Sequence, residues 1–288
     1  MNLTDRIYVA VHVALTVLVC GRYQRVQHWP LYVAWNLCAV AAILLLGSQR
    51  RGGTAWKFAH DWLPAVFFVT VFEEVSYLSL SLRSGWNDPY VFLADGLLFN
   101  GPPAVWMHAH AATWLIQFLE FGYFAFYPLY PVVGGIFWLW RERQPFTNAF
   151  RRLTDALSVG YLICYATYLL FPTRSPANNL GVQQFAGGQG GPFQSLVRLI
   201  QNHAGVHGNA FPSAHIMLAF VILVFAYRFL PRLAPWLLFP ILLMCVGAVY
   251  DGYHYASDVL VGALMGIVLG LTFAHRGTRM LYRLAKPS

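Results

Sequence analysis

The chain has 288 residues, of which 58% are hydrophobic and only 10% are charged. A soluble globular domain carries about 25% charged residues, so this composition excludes an ordinary soluble enzyme, a disordered chain and a small secreted domain held together by disulfides. The net charge of +8 does not indicate a nucleic acid partner, because the basic residues lie in short runs between apolar segments. That arrangement is typical of a polytopic membrane protein.

Eight apolar segments are candidates for membrane-spanning helices, each of which needs about 20 residues. The fourth segment is too long for one straight span and contains Pro128 and Pro131, which predicts a kink or a tilt. The sequence therefore predicts an all-α integral membrane protein with about eight transmembrane helices. In chain order the segments are approximately Thr4–Cys20, Leu31–Gly47, Trp62–Leu82, Ala112–Trp140, Phe150–Phe171, Pro212–Leu230, Pro235–Tyr250 and Tyr255–His275.

The distribution of basic residues predicts the orientation in the membrane. One set of connecting segments and termini carries 14 of the 19 Lys and Arg residues, and the opposite set carries 5. Because an excess of Lys and Arg marks the cytoplasmic side, both termini are predicted to be cytoplasmic. The two long connections, residues 83–111 and 172–211, then lie on the periplasmic, or otherwise extracytoplasmic, face.

Two short patterns at this outer face carry candidate catalytic groups. Pro212-Ser213-Ala214-His215 opens the sixth segment, and the free N–H groups of a helix start favour a phosphate. His254 and Asp258 are four residues apart at the entry to the eighth segment, so they share one helix face. An aspartate in this position can orient a nucleophilic histidine. Arg174 ends another span on the same side, and the convergence of all three groups favours one site.

These residues resemble the motifs of the type-2 phosphatidic acid phosphatase superfamily. Its motifs are a Lys-x6-Arg-Pro end, a Pro-Ser-[small]-His helix start and a Ser-Arg-x5-His-x3-Asp stretch, of which the first survives here as Arg174-Ser175-Pro176. The resemblance covers about residues 62–275. It implies two extra N-terminal helices in residues 1–61 and a six-helix catalytic core in residues 62–288.

The resemblance also implies a mechanism without a metal or cofactor. His254 would attack phosphorus, Asp258 would orient and charge its ring, and His215 would protonate the leaving oxygen. Arg174 and Ser213 would stabilise the phosphoryl oxygens. The expected substrate is a phospholipid or another lipid phosphate. A water acceptor would make a phosphatase, and a lipid hydroxyl acceptor would make a transferase.

The departures from the motifs bear on the substrate. Thr167 stands where the family has its lysine, and Gly247 and Ala248 stand where it has Ser-Arg. Two of three phosphate-binding cations are therefore missing, which favours a singly charged diester over a monoester with about −1.5 to −2 charge. The branch with similar motifs contains inositol-phosphorylceramide synthases and sphingomyelin-synthase-like head-group transferases, and hydrolysis of a lipid monoester is the alternative. Further candidates for the missing cations are Arg198, His203 and His207.

Several acidic residues have two open interpretations. Glu73, Glu74 and Glu120 lie in apolar segments, where ionisable groups usually face a cavity or a partner. They are candidates either for a polar pocket that binds a substrate head group or for helix contacts satisfied by neighbours. Asp251 is a candidate for the mouth of the site. A transporter using the three glutamates is a competing hypothesis, but no paired halves are evident. An inactive scaffold would have little reason to retain both histidines.

Overall fold

The structure is a computed structural model that describes residues 1–48, 53–82, 85–108, 112–179, 191–193, 195–197, 199 and 209–275. Its regular elements in these ranges are helical, which confirms the predicted all-α class. The bounds are α1 Leu3–Gly21, α2 Trp29–Ser48, α3 Thr54–Leu82, α4 Asp88–Phe99, α5 Pro103–His108, α6 Thr113–Phe124, α7 Leu129–Leu139, α8 Ala149–Leu170, α9 Pro176–Asn179, α10 Ala214–Phe229, α11 Ala234–Tyr250 and α12 Ala256–Ala274.

The helices fit an integral membrane protein. Four of them, α1, α2, α8 and α12, are long and apolar enough to cross a membrane, and α10 and α11 are shorter apolar helices. Large apolar side chains also lie on the outer surface: Leu97, Trp114 and Trp236 are each more than 70% exposed. Extensive apolar surface of this kind marks a site of contact with a membrane or a partner. The number of eight spans stays a prediction.

The long fourth segment is broken rather than continuous. Helix α6 ends at Phe124 and α7 begins at Leu129, with turns between them and Pro128 immediately before α7. At about 1.5 Å of rise per residue, neither helix alone spans the hydrocarbon core of about 30 Å. The predicted kink is therefore confirmed as a complete interruption, because proline cannot supply the N–H that a continuous helix needs at that point.

The N-terminal helices are tied to α3 and α8 by buried polar groups. The His12 ring in α1 hydrogen-bonds the Asn36 side chain in α2, whose Nδ2 donates to Glu74 Oε1 in α3 over 2.7 Å. Asp155 in α8 accepts hydrogen bonds from the backbone and hydroxyl of Thr4. The predicted division at residue 61 falls within α3, and it stays a prediction that residues 1–61 form a separate addition.

Glycine residues let α10 and α12 approach each other closely. A Cβ atom on Gly262 would lie 2.6 Å from the Ser213 carbonyl oxygen, and one on Gly266 would lie 2.5 Å from that of Met217. Small residues at helix crossings permit this backbone approach in membranes. The contact presses the start of α12 against the start of α10, which brings the two sequence patterns side by side.

Substituting Gly262 with alanine is expected to separate these two helix starts. The added Cβ would meet a backbone oxygen that cannot move alone, and overpacking of this kind costs about 1–3 kcal/mol. We expect a lower melting temperature and at least about a tenfold loss of turnover. Gly135→Ala is the matched control, since a Cβ there meets nothing within 4 Å. Equal melting temperatures and equal turnover of the two variants would contradict a close approach of α10 and α12 at Gly262.

Candidate active site

Three chain segments that are distant in sequence meet at one end of the helical bundle. Thr173 and Asn209 form an isolated parallel bridge, and the Thr173 hydroxyl accepts a hydrogen bond from the Phe211 N–H over 2.9 Å. The Ala177 N–H donates to the Gly252 carbonyl over 3.0 Å. The segment that contains Arg174 is therefore held between the helix start at Ser213 and the turn before His254.

The turn between α11 and α12 sets the position of His254. Gly252 has a φ of 72°, in the left-handed region that glycine adopts without a steric penalty. The chain then folds back, and the His254 N–H donates to the Ala248 carbonyl over 2.9 Å. The His254 side chain is consequently buried, between the starts of α10 and α12.

The hydrogen bonds of the His254 ring identify its tautomer. Nδ1 lies 3.0 Å from the Ala210 carbonyl oxygen and 3.4 Å from Asp258 Oδ2, and Nε2 lies 3.0 Å from Ser213 Oγ. A carbonyl oxygen only accepts hydrogen bonds, so Nδ1 carries the proton. The lone pair of Nε2 therefore faces the Ser213 hydroxyl, which makes Nε2 the nucleophilic atom of the ring.

The environment of His254 also keeps the ring neutral. Burial lowers the pKa of His254 from its ordinary value of 6.5 to about 4, against the opposite effect of the hydrogen bond to Ala210. A neutral imidazole retains the Nε2 lone pair at neutral pH. A nucleophilic role for His254 would therefore need no additional base.

This pKa predicts the acid limb of the pH profile. Protonation of His254 removes the free lone pair of Nε2, so on the acid side of its profile kcat/KM, which reports the free enzyme, is expected to fall only as the pH approaches about 4. A phosphodiester substrate stays singly ionised over this range, so the limb belongs to the protein. An acid limb centred at the ordinary histidine value of 6.5 would contradict the environment described for His254.

Asp258 links His254 to the start of α12. Its Oδ2 accepts the Tyr255 N–H over 2.9 Å, as in a capping box, and the same oxygen lies near His254 Nδ1. Its backbone carbonyl accepts the Ser213 N–H over 3.2 Å. Asp258 thus fixes both His254 and Ser213, and its carboxylate lies beside the ring that becomes cationic when Nε2 forms a bond.

The start of α10 presents Ser213 and His215 to the same space. Ser213 is the N-cap of α10, and its Oγ accepts the Ile216 N–H over 3.4 Å. The Tyr168 hydroxyl holds the preceding residue by donating to the Pro212 carbonyl over 2.8 Å. The His215 and His254 rings are 6.3 Å apart between centroids. The two histidine rings are therefore neighbours at the starts of α10 and α12.

Aromatic rings form the wall around His215. The Phe126 ring lies 4.8 Å from it, the Phe72 ring 5.9 Å and the Tyr123 ring 6.2 Å, between centroids. Phe72 is also part of the site through its backbone, because its carbonyl accepts a hydrogen bond from Asn209 Nδ2 over 3.2 Å. Exclusion of water by such a wall strengthens the electrostatic interactions inside it.

Arg174 is held by a residue that sequence reasoning did not identify. Asp88 accepts the Arg174 backbone N–H at Oδ1 over 2.6 Å and the guanidinium Nε at Oδ2 over 2.8 Å. The guanidinium also lies 5.3 Å from the centre of the Trp86 ring. The only local sequence signal was an Asp-Pro helix start, and nothing there indicated a partner 86 residues away.

Two further acidic residues, Glu120 and Asp251, are buried near Tyr253. Glu120 Oε1 accepts the Tyr253 hydroxyl over 2.6 Å, and the Tyr253 ring lies 4.9 Å from that of Tyr123. Asp251 is buried at the C-terminal end of α11. The structure therefore joins Glu120 to Tyr253, the residue before His254, although the sequence assigned Glu120 no definite role, and a position of Asp251 at the mouth of the site stays a prediction.

The two glutamates of α3 have a different environment. Glu74 is buried, and its described hydrogen bond runs to Asn36 in the N-terminal helices, whereas Glu73 is half-buried. Glu74 was a candidate either for a head-group pocket or for a contact between helices. The observed hydrogen bond is a contact between helices. A head-group role for Glu73 and Glu74 stays a prediction.

The positions that lack the family's cations differ in their surroundings. Ala248 is fully buried, so an arginine there would have no space without a rearrangement. The Thr167 hydroxyl donates to the Ile163 carbonyl of its own helix over 2.9 Å. The other candidate cations, Arg198, His203 and His207, lie outside the described residues.

Comparison with known proteins supports the motif resemblance at the level of the superfamily. Residues 178–280 match the family model of the PAP2 superfamily. This range contains Ser213, His215, His254 and Asp258, and it begins after Arg174. Members of this superfamily are phosphatases or phosphotransferases. No curated protein and no solved structure matches the chain.

Proposed function

We propose that the protein is a lipid phosphotransferase that transfers the head group of a phosphodiester lipid through a phosphohistidine at His254, at the extracytoplasmic face. The alternative is a phosphatase acting on phosphatidic acid or a polyprenyl phosphate. The observation that carries the proposal is the hydrogen bond between His254 Nε2 and Ser213 Oγ, 3.0 Å long, in a ring whose Nδ1 proton is bound by Ala210. This arrangement supports a ring prepared for attack on phosphorus.

The first step forms one bond and breaks one. The His254 Nε2 lone pair attacks phosphorus, and the bond from phosphorus to the lipid oxygen breaks. His215 gives its proton to that oxygen, so the lipid leaves as a neutral alcohol. Arg174 and the Ser213 hydroxyl stabilise the phosphoryl oxygens, and the Asp258 carboxylate stabilises the positive charge on the ring.

The second step reverses these roles with a new acceptor. An acceptor hydroxyl gives its proton to His215 and attacks phosphorus, and the bond to Nε2 breaks. The neutral His254 ring is restored. A lipid hydroxyl yields a new phospholipid, and water yields a free phosphate ester. The enclosure of His215 by Phe72, Tyr123 and Phe126 favours transfer, because an apolar wall admits a lipid hydroxyl more readily than bulk water.

The charges at the site support a diester substrate. Arg174 is the one cation retained from the three family motifs, and it is paired with Asp88. Glu120 and Asp251 are acidic residues buried close to Tyr253, the residue before His254. A monoester would bring nearly two negative charges into these surroundings, whereas a diester brings one.

The test is to supply the purified protein in nanodiscs with labelled lipids. The substrates are a phosphodiester lipid with a polyol head group, phosphatidic acid and a polyprenyl phosphate, each with and without a lipid alcohol acceptor. We expect a new labelled phospholipid from the diester, formed only with the acceptor. Release of inorganic phosphate from phosphatidic acid faster than any reaction of a diester would replace the transferase proposal with the phosphatase.

The proposed orientation is tested by cysteine accessibility. Gly85 lies on the site side near Trp86, and Glu142 lies in an exposed turn beyond α7. In a background lacking the four native cysteines, Gly85→Cys is expected to react with an impermeant thiol reagent in intact cells. Glu142→Cys should react only after lysis. The reverse pattern would invert the topology.

A further inference from the structure

Helix α4 carries two buried carboxylates that bind different parts of the active site. Asp88, at its first residue, binds the backbone and guanidinium of Arg174. Asp95, two turns later, accepts the Ala256 N–H over 3.0 Å and the Ser257 N–H over 2.8 Å at the start of α12. One short helix in the 83–111 connection therefore contacts both the phosphate-binding arginine and the helix behind the nucleophile.

The Asp88–Arg174 contact is not an ordinary surface ion pair. Asp88 is only 1% exposed, and both of its oxygens are used by Arg174. An ion pair on the protein surface contributes little to stability, because solvent screens its charges. A buried carboxylate is screened far less, so its negative charge acts on whatever binds next to the guanidinium.

We propose that Asp88 is a specificity-determining residue, which holds Arg174 in place and offsets its charge so that the site favours singly charged phosphodiesters over doubly charged monoesters. This inference rests on the proposed function and assigns to α4 a role that the sequence motifs do not contain. Asp95 then serves a separate purpose, which is to position α12 and with it Asp258.

The two substrate classes differ by about one negative charge. Arg174 attracts both, and the Asp88 carboxylate repels a monoester about twice as strongly as a diester. Removing this carboxylate therefore favours the monoester selectively. In partly buried surroundings a unit charge several ångströms away changes an affinity ratio by about tenfold.

The experiment compares Asp88→Asn with wild type on a matched lipid pair, phosphatidic acid and a phosphodiester of the same diacylglycerol. Asparagine keeps the size of the side chain and one acceptor but removes the charge. We expect the ratio of kcat/KM for the monoester to that for the diester to rise by about tenfold, whatever happens to absolute turnover. A merely structural role would lower both values together and leave the ratio unchanged.

Two variants serve as controls. Asp95→Asn removes a carboxylate from the same helix, but one that binds the amides of α12, so turnover of both substrates should fall together. Glu142→Gln removes an exposed charge remote from the site and should change the turnover of neither substrate. The specificity role would be overturned if the monoester-to-diester ratio of kcat/KM in Asp88→Asn equalled that of wild type. It would also be overturned if this ratio shifted equally in Asp95→Asn.

A binding measurement separates this proposal from the proposed function. Inorganic phosphate, titrated at about pH 8 where it is mainly a dianion, is expected to bind Asp88→Asn about tenfold more tightly than wild type, measured by stabilisation against heat. If wild type converts no lipid phosphate but this difference is found, the proposed function fails and the role of Asp88 stands. Equal affinity, or no binding to either protein, would contradict the role of Asp88.

Discussion

Replacement of His254 by alanine is expected to abolish turnover of every lipid phosphate that the wild-type protein converts. The substitution removes Nε2, the atom that faces the Ser213 hydroxyl, from a ring that lies beside His215. Removal of a covalent nucleophile lowers kcat by a factor on the order of 10⁴ to 10⁶. The measurement is single-turnover conversion of the best substrate by purified protein in nanodiscs.

Loss of folding must be distinguished from loss of chemistry in this variant. His254→Gln retains a side chain that can bond to Ser213, so it should melt close to wild type and still be inactive. His28→Ala, at an exposed position, should be fully active. Asp258→Asn should cost less than either His254 variant, because it removes an orienting group. Full activity in His254→Ala would eliminate the phosphohistidine mechanism.

Replacement of His215 by alanine is expected to slow the natural reaction by about 10²–10⁴-fold, the usual contribution of a general acid or base. The reason is that a lipid alkoxide is a poor leaving group unless it is protonated as the bond breaks. A nitrophenyl phosphodiester needs no such proton, because nitrophenolate leaves readily by itself. Formation of the phosphohistidine from this substrate should therefore be slowed far less, as measured by the initial burst of nitrophenolate.

The two substrates give His215→Ala an internal control. An aromatic variant of the wall, Phe126→Leu, keeps His215 and should slow both substrates to a similar extent. An equal loss on lipid and nitrophenyl substrates in His215→Ala would contradict its role as the acid and would instead indicate a packing role among Phe72, Tyr123 and Phe126.

The core of the candidate site was accessible from the sequence because its signals are local. Pro212, Ser213 and His215 open one helix, and His254 and Asp258 lie one helical turn apart, so spacing alone predicts their common orientation. The close approach of the two helices was not accessible, since it depends on Gly262 meeting the Ser213 carbonyl 49 residues earlier. The match to a superfamily model supports the same residues.

The surroundings of the site depend on contacts between residues far apart in the chain, which produce no periodic pattern in the sequence. Asp88 and Asp95 lie in a connection that contains helices α4 and α5. The partner of Asp88 is 86 residues away, and the two partners of Asp95 are 161 and 162 residues away. Glu74 was noticed as an intramembrane charge, but its partner Asn36 was not, because a single asparagine in an apolar helix is not distinctive. The break between α6 and α7 was visible in the sequence as Pro128, but the sequence did not show that the helix would be completely interrupted there.

The most direct test of the account is a rapid-quench experiment that looks for the covalent intermediate. Wild-type protein mixed with a phosphodiester lipid is quenched under alkaline conditions, which preserve a phosphorus–nitrogen bond, and its peptides are examined by mass spectrometry. The account predicts the mass of the phosphoryl head group on His254, formed within one turnover, lost on acid treatment and absent from His254→Gln. A quenched, turning-over enzyme with an unmodified His254, or with the adduct on Ser213 or His215 instead, would contradict it.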